Sequence, residues 1–186
     1  MLNNVNLKWL AFVKNTLDNL GLSNYWLQQH TGSFCSFKRI VEERLKDHFV
    51  QKWFSSVNDL SKCLNYRMFK HDLTFEKYLN IIPSDLSNIL CKFRCINHKL
   101  PIEKGRFMNI ERNARFCQLC NSDYLGDEFH YLFICTHFTT ERKKYLNQYY
   151  FRNPNSIKFS QLMNSEDRNT LLKLALFCKK IMSLCT

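Results

Sequence analysis

Four residues restrict this chain more than any others: Cys117, Cys120, His130 and Cys135. Two residues separate the first pair, nine precede His130, and four more precede Cys135. Three thiols and an imidazole are a usual ligand set of structural zinc, which holds them at the corners of a tetrahedron. The spacing therefore predicts a bound Zn2+. A turn is expected at Cys120-Asn121-Ser122-Asp123, because Asn, Ser and Asp hydrogen-bond their own backbone. Gly126 then relieves the chain before Asp127 or Glu128 opens a helix carrying His130. His137 is an alternate ligand with a poorer bite, standing two residues beyond Cys135. The competing reading is that three of nine cysteines merely lie close together in a cysteine-rich chain.

The rest of the chain must build a body around this knot. Only four Gly and three Pro occur in 186 residues, which favours helices with short connections over a many-turned β fold. Apolar residues recur at helical spacing over 5–20 (Val5, Trp9, Phe12, Val13, Leu17, Leu20), with Gly21 as the stop. A second stripe (Phe37, Ile40, Val41, Leu45, Phe49, Trp53) predicts a long helix from Ser33 through Phe54. A short helix runs from Thr74 to Ile82, where Pro83 ends it. Ser84 starts another, with Leu86, Ile89, Leu90, Phe93 and Ile96 inward. Leu100-Pro101-Ile102 leaves that helix, and Gly105 allows a second bend. A basic helix is expected over 140–146 and a loop at 153–156. A last helix is capped at Ser165, with Leu171, Leu174, Ala175, Cys178, Ile181, Met182 and Cys185 inward. The fold class is mainly α, a helical domain with a small C2HC zinc knuckle inserted before the C-terminal helices. Two regions are expected: residues 1–91, and a basic zinc-bearing region, 92–186, packed as one compact unit.

Charge points to a partner. The net charge of +11 is uneven, with +3 in residues 1–91, +6 in 92–158 and +2 in 159–186. A positive excess concentrated around the Cys/His stretch suits a polyanion, nucleic acid (RNA or DNA) before membrane. Arg94, Lys99, Lys104, Arg106, Arg112 and Arg115 are the candidate contacts. Phe107 and Phe116 lie among them and are read as core anchors, with base stacking as the other reading. No run of 18 apolar residues and no signal-peptide pattern occurs, so the chain reads as intracellular, nuclear or cytoplasmic. The scattered cysteines read as packed thiols, Cys91 and Cys95 on one helix face.

Catalytic patterns are missing. There is no phosphate loop, nucleophile elbow or kinase signature, and Glu128 before His130 does not form the His-Glu-x-x-His of metalloproteases. A closed four-ligand site also leaves zinc no position for substrate. No catalytic residues are assigned, and Asp127-Glu128 is read as a helix start or support for the site.

The run Phe93-Arg94-Cys95-Ile96-Asn97-His98-Lys99-Leu100-Pro101-Ile102-Glu103-Lys104-Gly105-Arg106 resembles a segment of non-LTR (LINE-type) retrotransposon reverse transcriptases, just upstream of their C-terminal zinc motif. Cys117-x-x-Cys120, followed by Gly126-Asp127-Glu128-Phe129-His130-Tyr131-Leu132-Phe133-x-Cys135, is similar to that Cys-Cys-His-Cys motif. Tyr66-Arg67-x-Phe69-Lys70 and the tryptophan-bearing second helix resemble the connector before it. The resemblance implies a non-catalytic fragment of such a polyprotein, since the family's polymerase signature ends in Asp-Asp and no such pair occurs here. It implies Cys117, Cys120, His130 and Cys135 as metal ligands, and contact with RNA or DNA, with a reverse transcriptase core in trans as a further partner. A structural or protein-interaction domain, or a decayed retrotransposon fragment, is the alternative.

Overall fold

The computed structural model describes residues 8–120 and 122–185, and over these the chain is mainly helical. The only β pairing among the described residues is one antiparallel bridge, Phe116 to Leu125. No helix among them is long and apolar enough to cross a membrane. Val5 and Asn121, used in the sequence reading, lie outside the described residues.

The chain forms two compact units, one ending at Ser56 and the other beginning at Val57. This differs from the expected division at 91/92. Phe69, Tyr78, Ile82 and Leu90 share one buried cluster with Phe93, Tyr131 and Phe177, so residues 57–91 belong to the body that carries the Cys/His stretch.

In the first unit, α1 (Lys8–Asn19) ends at Gly21, whose φ of +69° is a left-handed stop that glycine adopts without steric cost. Helices α2 (Ser23–Gln28) and α3 (Phe34–Asp59) follow. Leu17, Leu20 and Leu22 form the small core, packed by Val13, Trp26, Phe37, Ile40 and Val41. The predicted stripe of α3 is thus covered only over its first turns. Phe49 remains 61% exposed and Leu45 45%.

The second unit is built on α5 (Ser84–Arg94) and α10 (Arg168–Leu184), which pack along each other. Leu90 and Phe93 meet Leu171, Leu174, Phe177, Cys178 and Ile181, all of them fully buried. Each such side chain contributes roughly 1.5–3 kcal/mol through loss of water contact. Phe159, on α9 (Ser156–Met163), is ringed by Phe69, Phe129 and Phe133 in edge-on contacts at 5.7–6.0 Å. No helix was expected at α9. Its cap is Asn155, whose side-chain oxygen accepts from the Lys158 N–H at 2.9 Å.

Four local expectations are corrected. The chain does not simply leave the helix at Pro101: it begins α6 (Pro101–Phe107), with proline at the first helical position where its missing N–H costs nothing. Gly105 is no bend but a close approach, because a Cβ there would sit 2.7 Å from Arg115 Cγ. The cap of α10 is Asp167, not Ser165; its carboxylate accepts from the Thr170 N–H at 2.7 Å. The Thr74 helix shrinks to α4 (Tyr78–Ile81).

Arg94 is not a surface residue. It is 3% exposed, its guanidinium pairs with Glu76 at 2.8 Å, bonds the Met163 carbonyl, and lies 4.6 and 4.8 Å from the Phe69 and Tyr78 ring centres. Glu76 also holds the buried Lys70 at 2.8 Å, so one carboxylate joins two cations. Replacing Arg94 by Met leaves a buried carbonyl unpaired and removes half of that neutralisation. We expect Arg94→Met to cost about 2–4 kcal/mol, read as a lower urea midpoint. An unchanged midpoint would show that the cluster does not support the fold.

Candidate metal centre

The first two thiols come from a short loop closed on itself. The Cys117 N–H donates to the Tyr124 carbonyl at 2.9 Å and the Gly126 N–H to that of Arg115 at 2.9 Å, so 115–126 forms a narrow lariat. Gly126 is required by proximity: a Cβ there would lie 2.8 Å from Pro101 Cγ. The Leu119 N–H points at Cys117 Sγ from 3.4 Å, and Ser122 Oγ lies 2.9 Å from Cys120 Sγ. The Ser122 contact favours the thiolate of Cys120.

The other two ligands come from the helical turn that follows. Asp127 caps it, Oδ1 accepting from the His130 N–H at 2.9 Å, as expected of a helix start there. His130–Ile134 then widens into one π-helical turn, closed by the Cys135 N–H donating to the His130 carbonyl at 2.8 Å. This solves a problem in the sequence. In an α-helix five residues advance about 140° beyond a full turn, which would point His130 and Cys135 apart. A bond from residue i to i+5 brings them back to one face.

The four ligand atoms all lie within 4.8 Å of one another, and the group could hold a metal ion. Cys117 Sγ is 3.8 Å from Cys135 Sγ, and Cys120 Sγ is 3.3 Å from His130 Nε2. His130 Nδ1 is buried with no hydrogen-bond partner among the described residues. Three thiols converging on Nε2 of one imidazole form a donor set that fits a metal better than a bare core. Cys117, Cys135 and His130 are all buried, whereas exposed His137 falls outside the cluster.

The electrostatics agree with ligation. Burial pushes His130 down to about 4, with Arg142 adding to the effect, so the imidazole is neutral at pH 7. Burial pushes the Cys135 thiol up to about 12. At Cys120 burial acts the same way, but hydrogen bonds from Ser122 and Cys117 outweigh it and hold the thiol below its ordinary value. An isolated thiolate is therefore costly at Cys135, and a cation is what would stabilise it.

Around the ligands stands a second ring of polar contacts. Glu128 is 2.6 Å from His98 Nε2, with both side chains almost wholly buried. Asn65 Nδ2 donates to Glu128 and, at 3.2 Å, to Asp127. The Leu100 N–H donates to His98 Nδ1 at 3.3 Å, which turns Nε2 towards the carboxylate. Burial, with Glu128 alongside, pushes the Asp127 carboxyl up. Asp127 and Glu128 thus support the site, as the sequence suggested. Buried Arg142 was not foreseen: it donates to the carbonyls of Leu132 and Cys135, each at 2.7 Å, closing the end of the π turn. Nothing in its setting, Thr-Thr-Glu-Arg-Lys-Lys, separates it from its solvated neighbours.

The candidate nucleic-acid contacts do not form one free patch. Arg94 is buried, as described above. Arg106 is held by both oxygens of Glu103, at 2.7 and 3.0 Å. Arg115 donates to the Ile102 and Ile110 carbonyls, each at 2.9 Å. Arg112 is half-exposed, and only Lys99 and Lys104 are fully so. Phe107 and Phe116 are not core anchors, being 73% and 43% exposed.

No protein family, curated protein or solved structure matches this chain.

The His130 shift sets a pH dependence. Its folded value, about 4, lies below the ordinary 6.5, so the unfolded chain takes up a proton that the folded chain refuses. Metal-free protein should keep this contribution to stability above pH 6.5 and lose it as pH falls towards about 4. Urea midpoints between pH 7.5 and 4.5 read the loss, and His130→Asn should flatten the profile.

Proposed function

We propose that this chain is a zinc-stabilised helical module that binds nucleic acid through its phosphates and carries out no chemistry of its own. The observation that carries it is the converging Cys3His group, three of its four residues buried, in a strongly basic helical chain. A zinc ion about 2.3 Å from sulfur and about 2.0 Å from nitrogen requires S···S near 3.8 Å and S···N near 3.5 Å. The observed 3.8 and 3.3 Å support zinc as the ion. Four protein ligands fill a tetrahedron, so the metal would hold structure. The net charge of +11 supports a polyanionic partner, and the resemblance to the C-terminal part of a LINE-type reverse transcriptase supports RNA or DNA, with a polymerase core in trans.

A second reading is a protein-interaction domain. The exposed Trp9, Phe12 and Phe49, at 61%, 71% and 61%, favour it.

Purified protein should carry about one zinc per chain by elemental analysis, and Cys117→Ser or Cys135→Ser should lose both metal and cooperative unfolding. Metal-free protein with an unchanged melting profile would remove the structural role. Binding to RNA, single-stranded DNA and duplex DNA should weaken steeply as salt rises, because counterions are released from the phosphates. Retention of none of the three at ~0.1 M salt would favour the interaction domain, since screening is still moderate there.

A further inference from the structure

The free positive charge of the second unit does not lie where the sequence concentrates it. Of the six basic residues in 94–115, Arg94 is buried, Arg106 and Arg115 are held by partners, Arg112 is half-exposed, and Lys99 and Lys104 flank a small cavity of about 70 Å³. Helix α7 (Thr139–Tyr145) instead packs on α10, and two cavities of about 240 and 270 Å³ open beside this pair. They share Lys144 and Tyr145, so they adjoin along one groove. The first is lined by Lys143, Lys144 and Lys173 with Asn169 and Thr170, and by no acid. The second adds Lys180 against a single acid, Glu141.

All four lysines are exposed, and none is in an ion pair among the described residues. Asp167 interacts with Lys173, but its carboxylate is already engaged by the Thr170 N–H. Tyr145, half-exposed, is backed by Phe177 in a stacked contact at 5.9 Å and has the Lys144 ammonium 5.2 Å from its ring centre, so the ring holds that charge where the two cavities meet. Ammonium groups along a concave track suit a single strand of nucleic acid, whose phosphates meet the charges in turn. A flat bilayer surface would not enter it.

We propose that the groove beside α7 and α10 is the phosphate-binding surface of this protein, and that Lys143, Lys144, Lys173 and Lys180 track the backbone of a single strand. This rests on the nucleic-acid reading above and names its site. Arg142 fixes the position of the groove. It lies immediately before Lys143 and bonds the carbonyls of Leu132 and Cys135, so α7 is tied to the metal-bearing turn.

The test uses zinc-loaded full chain and a fluorescein-labelled single-stranded 20-mer RNA of mixed sequence, followed by anisotropy from low to physiological salt. Lys143→Glu with Lys173→Glu should weaken binding roughly tenfold at ~0.1 M salt and lower the log–log salt slope by about 1.4, two single-strand phosphate contacts being lost. Lys99→Glu with Lys104→Glu should change affinity less than about threefold, since those two charges lie outside the groove. Circular dichroism and zinc content check the fold. If the reversals disturb it, Lys143→Gln with Lys173→Gln gives the same readout. Equal losses in the two pairs, or a larger loss in the Lys99 and Lys104 pair, would overturn the groove and leave the nucleic-acid reading standing. Wild-type protein that retains neither this RNA, nor single-stranded DNA, nor duplex DNA would overturn both. So would lysine-dependent binding to phosphatidylserine vesicles without binding to any oligonucleotide.

Discussion

Three thiols and an imidazole drawn to within 4.8 Å of one another make a poor interior unless something joins them. Sulfur contacts alone are weak, and burial makes an uncompensated thiolate at Cys135 costly. A metal ion would turn this liability into the strongest cross-link in the chain, since structural zinc is worth about 10–16 kcal/mol in small peptides at neutral pH. The surrounding structure is arranged accordingly. The lariat is closed by its own backbone bonds and the turn by its π-helical bond, and the two bring their ligands together at this point.

Two buried arginines extend that arrangement outward. Arg142 closes the carbonyl end of the π turn and starts α7 in a fixed direction. Arg94 joins α5 to the end of α9 through the Met163 carbonyl and gathers the loop carrying Glu76. In both cases the planar guanidinium meets several acceptors at once, which a lysine ammonium could not do in the same geometry. The basic composition therefore has two physical meanings here. Some cations are internal fasteners, and the exposed lysines face solvent.

The sequence was most informative where periodicity or ligand chemistry acts locally. The inner stripe of α10, the helix start at Asp127 and the Cys3His set were all visible, because each follows from spacing over a short stretch of chain. It was least informative where a residue's role depends on a distant segment. Arg94 and Arg115 look like surface charges until Glu76, Ile102 and Ile110 are brought beside them. Gly105 looks like a hinge until Arg115 lies across it. Phe107 looks like a core residue by size alone, yet it stays on the surface with the Arg106 guanidinium over its ring. The division near 56/57 was hidden for the same reason, because α3 runs continuously through it without a break in sequence pattern.

The π turn at His130–Ile134 has one more consequence, which concerns length and not chemistry. Its wider circumference holds one residue more than an α-helical turn would, and that residue sets the angle between the imidazole and the last thiol. Side chains along the turn can be exchanged for others of similar size while the backbone path stays the same. Removing or adding a single residue rotates one ligand about 100° around the helix axis relative to the other. Variation in this stretch should therefore run through substitution, with insertions and deletions confined to the loop between Cys120 and Gly126.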